Sequence, residues 1–289
     1  MNRHSFLLDG GPGTGKTATA VSAFYDWKRK KQIRNGRLIV IGDEPLNESL
    51  GLPDELVRRF TSPSDKPLKF LDDLDSYLKK FIETNRTAKG DKHVEVMVFD
   101  GASELITAIL HEHQQKNPAS KDKWAKFDEA KERFIDIMQY LSPHESGAHL
   151  IMTARVDQRK RALETKDGKI ITPGDPAWME DFEYVPAAEG WTRKNIGHYF
   201  PFVFYMDYGK GVMKLPDGKL KDVVTHDIYL LPSPKLAAWV RNNYEYPWLQ
   251  KGLPERLTNP DFDTILNLVE KAASGGAADG ETEKGGSNE

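Results

Sequence analysis

The chain has 289 residues and a mass of 32.7 kDa, enough for one large α/β domain with insertions. Hydrophobic residues at 38% and a mean hydropathy of −0.61 describe a soluble globular composition, and no apolar run approaches the roughly 20 residues of a membrane-spanning helix, so no membrane association is expected. The absence of cysteine excludes a disulfide framework and a cysteine-ligated zinc site, and the start MNRHSFLLDG lacks the apolar core of a signal peptide, so a cytoplasmic location is the expectation.

Net charge is −3, which gives no global footprint of a nucleic-acid binder. The charge is uneven, because Asp279, Glu281, Glu283 and Glu289 against Lys284 place all of it in residues 273–289. That stretch of Gly, Ala, Ser and acid has no aromatic residue and reads as a disordered acidic tail behind a domain spanning residues 1–272. Any site for a polyanion on that domain must be a local patch.

Phe6 to Asp9 reads as a buried strand running into a glycine loop, and Ala18, Ala20, Val21, Phe24 and Trp27 continue at helical spacing to about Gln32. Arg37–Gly42 is a second buried strand. A helix follows from Pro67 to Thr84, with Phe70, Leu71, Leu74, Leu78, Phe81 and Ile82 on one face. Val94–Phe99 is the third strand, Ala102–His113 the next helix, Trp124–Leu141 another, and His149–Thr153 the fourth strand. Nearly all-apolar strands alternating with amphipathic helices predict an α/β fold, a doubly wound and mainly parallel sheet covered on both faces. Residues 156–198 are polar and rich in Gly and Pro, and read as a long mobile insertion after the fourth strand. Sheet-like runs resume at Phe202–Met206 and Asp227–Leu231, followed by short helices at Pro234–Asn242 and Pro260–Ala272.

Gly10-Gly11-Pro12-Gly13-Thr14-Gly15-Lys16-Thr17 matches G-x-x-x-x-G-K-[ST] between a predicted strand and a predicted helix, the context the mechanism requires. Backbone N–H groups from Gly10 to Ala18 can cradle the phosphates of ATP at the helix N-terminus, with Lys16 reaching the β- and γ-phosphates and Thr17 coordinating Mg2+. Asp100, ending the third strand, is placed to hold Mg2+ beside Thr17, although an aspartate there can also cap the next helix. Glu104 can face the same cleft. Glu44, directly after the second strand, is the candidate to orient or deprotonate the attacking water, and Thr153 and Arg155 at the end of the fourth can sense the γ-phosphate.

GGPGTGKT at 10–17, Glu44, the run from Asp100 to Leu105 and Thr153-Ala154-Arg155 together resemble RecA-type P-loop ATPases, most closely the compact phage-encoded RecA-like proteins of single-strand annealing and recombination. The likeness covers about residues 4–245. It implies ATP hydrolysis with Glu44 activating water, a loop after the fourth strand contacting single-stranded DNA, and, from a late region holding Lys235 and Arg241, a cation offered to a neighbouring copy in a homo-oligomer. The glutamine that ends the fourth strand of the best-known members is not found at 153–155; Gln158 lies further on.

The 156–198 insertion mixes Arg159, Lys160, Arg161, Arg193 and Lys194 with Trp178, Phe182, Tyr184 and Trp191, a composition suited to phosphates and stacked bases, alongside Glu180, Asp181, Glu183 and Glu189. The same aromatics can anchor the insertion to the body. Lys28–Lys31 would lie at the end of the first helix. His111-Glu112-His113 does not have the spacing of a zinc helix, and no N-K-x-D guanine motif is present. A nucleotide kinase and an ATP-dependent scaffold remain the alternative readings.

Overall fold

The computed structural model describes residues 3–42, 50–61, 67–118, 125–160, 182–186, 196–214, 218–230 and 253–273. The first strand, β1 (Ser5–Gly10), is buried along its whole length and turns through the glycine loop into α1 (Lys16–Val21). A small hairpin of two-residue strands, β2 (Tyr25–Asp26) and β3 (Lys31–Gln32), leads to β4 (Gly36–Ile41) and β5 (Val57–Phe60). Then come α2 (Pro67–Thr87), β6 (Val96–Asp100), α3 (Ala102–Lys116), α4 (Ala125–Leu141) and the short α5 (Pro143–Ser146). The described chain continues through β7 (His149–Lys160), β8 (Phe182–Pro186), β9 (Phe202–Lys214), β10 (Leu220–Tyr229), β11 (Arg256–Thr258) and α6 (Phe262–Ala273).

The main sheet runs β11-β10-β9-β1-β7-β6-β4-β5, with β8 paired to the outer part of β7. From β9 to β5 every neighbouring pair is parallel, and β10, β11 and β8 add antiparallel partners. Alternation along the strands divides the core. Leu7, Ile39, Ile41, Met97, Phe99, Leu150, Met152 and Val203 pack under α2, α3 and α4, while Phe6, Leu8, Leu38, Val40, Val98, Ile151, Phe202 and Phe204 pack toward α1 and α6. Both faces are covered, as the continuous apolar strands predict, in an arrangement that fits a P-loop NTPase-like fold.

Four segments depart from the sequence expectation, the first being β5, a strand paired with β4 where the sequence predicts none between Gly42 and the Pro67 helix. The helix after the glycine loop ends at Val21, not near Gln32. Asp26 Oδ1 accepts the N–H groups of Lys28 (3.0 Å) and Arg29 (3.1 Å), and Lys30 sits at φ 50°, so a local aspartate turn competes with the helix. Lys28–Lys30 therefore lies on a hairpin turn and Lys31 opens β3, so the run is not at a helix end. The fourth strand continues through Lys160, where Val156–Lys160 pairs antiparallel with Phe182–Pro186, so the described part of the 156–198 segment includes a two-stranded ribbon. The late strands are also longer than Phe202–Met206 and Asp227–Leu231, because β9 and β10 form a hairpin paired from Tyr205–Tyr229 out to Lys214–Leu220. The expected helix at 234–242 and the tail beyond 273 lie outside the described residues. Among the described residues no helix is long and apolar enough to cross a membrane.

Candidate active site

The parallel strands end together at one edge, and the loop after β1 wraps a cavity of ≈ 540 Å³ there. Pro12, Gly13, Gly15, Lys16, Thr17 and Ala18 form one wall, Val40, Ile41, Gly42 and Leu50 another, and Asp100, Gly101, Glu104, Thr153, Ala154 and Arg155 the third. Glycine is a steric requirement in the loop. A Cβ on Gly10 would stand 2.5 Å from the Met206 carbonyl oxygen, and Gly13 and Gly15 adopt φ values of +73° and +87°. The first N–H groups of α1, Lys16 to Ala18, have no intrahelical acceptor and give this end its positive potential.

Lys16 folds back over the loop, its Nζ donating to the carbonyls of Gly10 (2.9 Å) and Gly11 (2.7 Å). Burial lowers its pKa, an effect opposed by the carboxylates of Asp100 and Asp9. Thr17 Oγ1 donates to Asp100 Oδ1 at 2.7 Å. Thr153 Oγ1 donates to the same oxygen, and accepts the Gly101 N–H at 3.3 Å. Gly101, not Asp100, is the N-cap of α3, so the Asp100 side chain serves the cavity and not the helix end. These contacts follow from strand order: β7 lies between β1 and β6, which brings Thr153 opposite Asp100 in register.

Arg155, at the rim, pairs with Glu104 at 2.8 Å, and its backbone N–H donates to Ser103 Oγ at 3.1 Å. Glu44 lies outside the described residues; Gly42 and Leu50, which flank its segment, both line the cavity. Arg159, Lys160, Phe182 and Tyr184 belong to the β7–β8 ribbon. Arg161, Trp178, Trp191, Arg193, Lys194, Lys235 and Arg241 fall outside the described residues.

The residues present fit a magnesium-bound nucleotide. A hydroxyl and a carboxylate stand together beside the first N–H groups of α1, the oxygen donors Mg2+ takes when phosphates complete its shell. No cluster of three or more His, Asp or Glu side chains suited to a metal occurs among the described residues, and His113 of the His111-Glu112-His113 run pairs instead with Glu129 at 2.5 Å.

A family model described as AAA domain matches residues 2–238. The chain belongs to this AAA domain family. Membership places the glycine loop within a family of P-loop ATPases and implies ATP binding. No curated protein matches the chain.

Three features of this AAA domain's site carry little or no signal in the sequence. Asp9 is fully buried beneath the loop with neither carboxylate oxygen hydrogen-bonded, and burial pushes its pKa up to about 8. Its one signal is an acid within an otherwise apolar strand. Tyr208 and His226, from the β9–β10 hairpin, touch the loop backbone from outside; no local pattern marks them, since they lie 196 and 212 positions from their partners.

Proposed function

We propose that this chain is a Mg2+-dependent ATPase of RecA-like kind that works on single-stranded DNA in recombination, annealing or replication. The observation that carries the nucleotide half is the convergence of Lys16, Thr17 and Asp100 on one cavity, with Thr17 and Asp100 joined at 2.7 Å. Bound Mg2+–ATP supplies the γ-phosphoryl group and the charge neutralisation its transfer needs. Lys16 exchanges the Gly10 and Gly11 carbonyls for phosphate oxygens, and the N–H groups from Gly13 to Ala18 orient them. Thr17 and Asp100 hold the metal side, with Thr153 fixing the Asp100 carboxylate. Arg155 leaves Glu104 for the developing charge on the γ-phosphate, and Glu44 orients or deprotonates the attacking water.

The DNA half is supported by the β7–β8 ribbon, whose register sets Lys160 opposite Phe182 and Arg159 opposite Glu183, with Tyr184 two residues from Phe182, on strands that leave the sheet at the edge holding the cavity. The test is ATP turnover measured alone and with single-stranded DNA, double-stranded DNA and nucleoside monophosphates. Stimulation by single strands supports this reading. Phosphoryl transfer to a monophosphate would replace it with a kinase, and turnover indifferent to DNA would remove its DNA half.

A further inference from the structure

We propose that Tyr208 and His226 are positioning residues of the nucleotide site, holding the phosphate loop in its anion-binding form from the side opposite the cavity. The proposal rests on the ATP-binding reading of the loop. It adds two residues from a distant hairpin that the motif does not contain.

Tyr208 Oη donates to the Pro12 carbonyl at 3.2 Å, and His226 Nδ1 lies 3.0 Å from the Thr14 carbonyl. A carbonyl can only accept, so Nδ1 carries a hydrogen and donates it here. The two side chains are directly opposed across the β9–β10 pair, their rings 5.7 Å apart, and together they grip the loop on either side of Gly13. The loop is shaped to admit them: a Cβ on Gly13 would stand 2.5 Å from Tyr208 Oη, and one on Gly15 3.2 Å from His226 Nδ1. Glycine at these positions therefore answers to the hairpin as well as to the positive φ.

The grip is anchored. Asn259, at φ 47°, accepts the His226 N–H on its side-chain oxygen at 2.8 Å and donates its own N–H to the His226 carbonyl at 2.6 Å. One residue along, buried Asp227 pairs with Arg256 at 3.2 Å. His226 is thus fixed by Asn259, the residue after β11, before it reaches the loop, and Tyr208 extends from β9, whose inner part pairs with β1 itself.

The tethers act on the direction of the loop's carbonyls. Gly10 and Gly11 accept from Lys16, Gly11 also from Thr14 Oγ1 at 2.9 Å, Pro12 from Tyr208 and Thr14 from His226. When Lys16 turns to a bound phosphate, the two outer tethers remain. A peptide rotated at Pro12 or Thr14 would aim a carbonyl oxygen at the anion and withdraw an N–H, and the tethers oppose that rotation. Each is a single hydrogen bond in a partly exposed setting, so the loss of one should weaken nucleotide binding about 2- to 10-fold.

The experiment is titration of full-length wild type, His226→Ala, His226→Asn and Tyr208→Phe with Mg2+ and a fluorescent ATP analogue, alongside thermal melts and steady-state turnover. His226→Ala and Tyr208→Phe should each raise the dissociation constant and KM by that factor. His226→Asn should restore binding, since an asparagine amide can place an N–H near the position of Nδ1. Tyr208→Phe keeps the ring and removes only the donor, so it reports the tether even where His226→Ala unfolds. Unchanged nucleotide affinity in Tyr208→Phe and His226→Ala overturns the proposal, as does a loss in His226→Ala that His226→Asn fails to recover. A wild-type protein that binds no ATP would instead overturn the reading of the site itself.

Discussion

Asp9→Asn should stabilise the protein at neutral pH and flatten the dependence of its stability on pH. Asp9 lies next to the end of an apolar strand, is fully buried and has no hydrogen bond to either oxygen, and its pKa rises from the ordinary carboxylate value of 3.8 to about 8. Desolvation of the charged form is the larger cause, and the Lys16 charge only partly offsets it. An acid whose folded pKa is raised keeps its proton in the native state after the unfolded chain has released it. Its contribution is therefore fully present below about pH 4 and is lost as pH rises toward 8. At about 1.4 kcal/mol per pH unit, the loss by pH 7 is on the order of 4 kcal/mol, an upper bound because water entry and local relaxation reduce it. Asparagine has nearly the same shape and cannot ionise, so the variant should match wild type near pH 4 and gain on it steadily toward pH 8. Urea unfolding at half-unit intervals across that range measures the difference directly. A stability difference that stays constant with pH would refute this, because it would mean that the Asp9 carboxylate finds a partner when it ionises.

Lys16→Ala should abolish productive ATP binding or turnover, read by nucleotide titration and phosphate release, since it removes the only side-chain cation of the loop. Glu44→Gln should bind ATP and lose about 10²- to 10⁴-fold in turnover. Glu104→Gln is the control, as Glu104 faces the cavity and pairs with Arg155; a larger loss there than at Glu44 would move the water-activating role to Glu104. Neutralising Arg159, Lys160 and Arg161 together should weaken single-strand binding and flatten its salt dependence, by about 0.7 in log–log slope for each phosphate no longer neutralised. An unchanged slope would remove those residues from the proposed DNA site.

The parts of the molecule that are legible in the sequence are those in which local pattern and tertiary role coincide. The strands β1, β4 and β6 are apolar on both faces because both faces are covered, and the glycine loop is readable because backbone approach to phosphate demands glycine at fixed offsets. The end of α1 is not legible, because the aspartate turn at Asp26 outcompetes a helical pattern that runs on through Trp27. Nor is the length of β9 and β10, whose outer residues are solvent-facing: Val212, Leu220 and Val224 are more than half exposed, so no buried face imposes a readable alternation. Tyr208, His226 and the Thr153–Asp100 contact depend on strand order, which a single sequence carries only indirectly.

Strand order also joins the cavity to the ribbons. β1 is flanked by β7 and β9, and both flanking strands run past the sheet edge into antiparallel ribbons instead of stopping there. On the way out, β7 contributes Thr153 and Arg155 to the cavity and then Arg159 and Lys160 to one ribbon, while β9 contributes Tyr208 to the loop before the other. A strand is stiff over these few residues, so a ligand that shifts either ribbon shifts cavity groups with it. Nucleotide and polynucleotide affinities should then be coupled, and linkage requires the same factor in both directions. A coupling of about 5-fold or more, the lower end of typical allosteric values, is expected when single-strand affinity is titrated with and without Mg2+–ATP, and ATP affinity with and without single strands. Two titrations that agree on a factor of one would show that the ribbons and the cavity share strands without sharing energy.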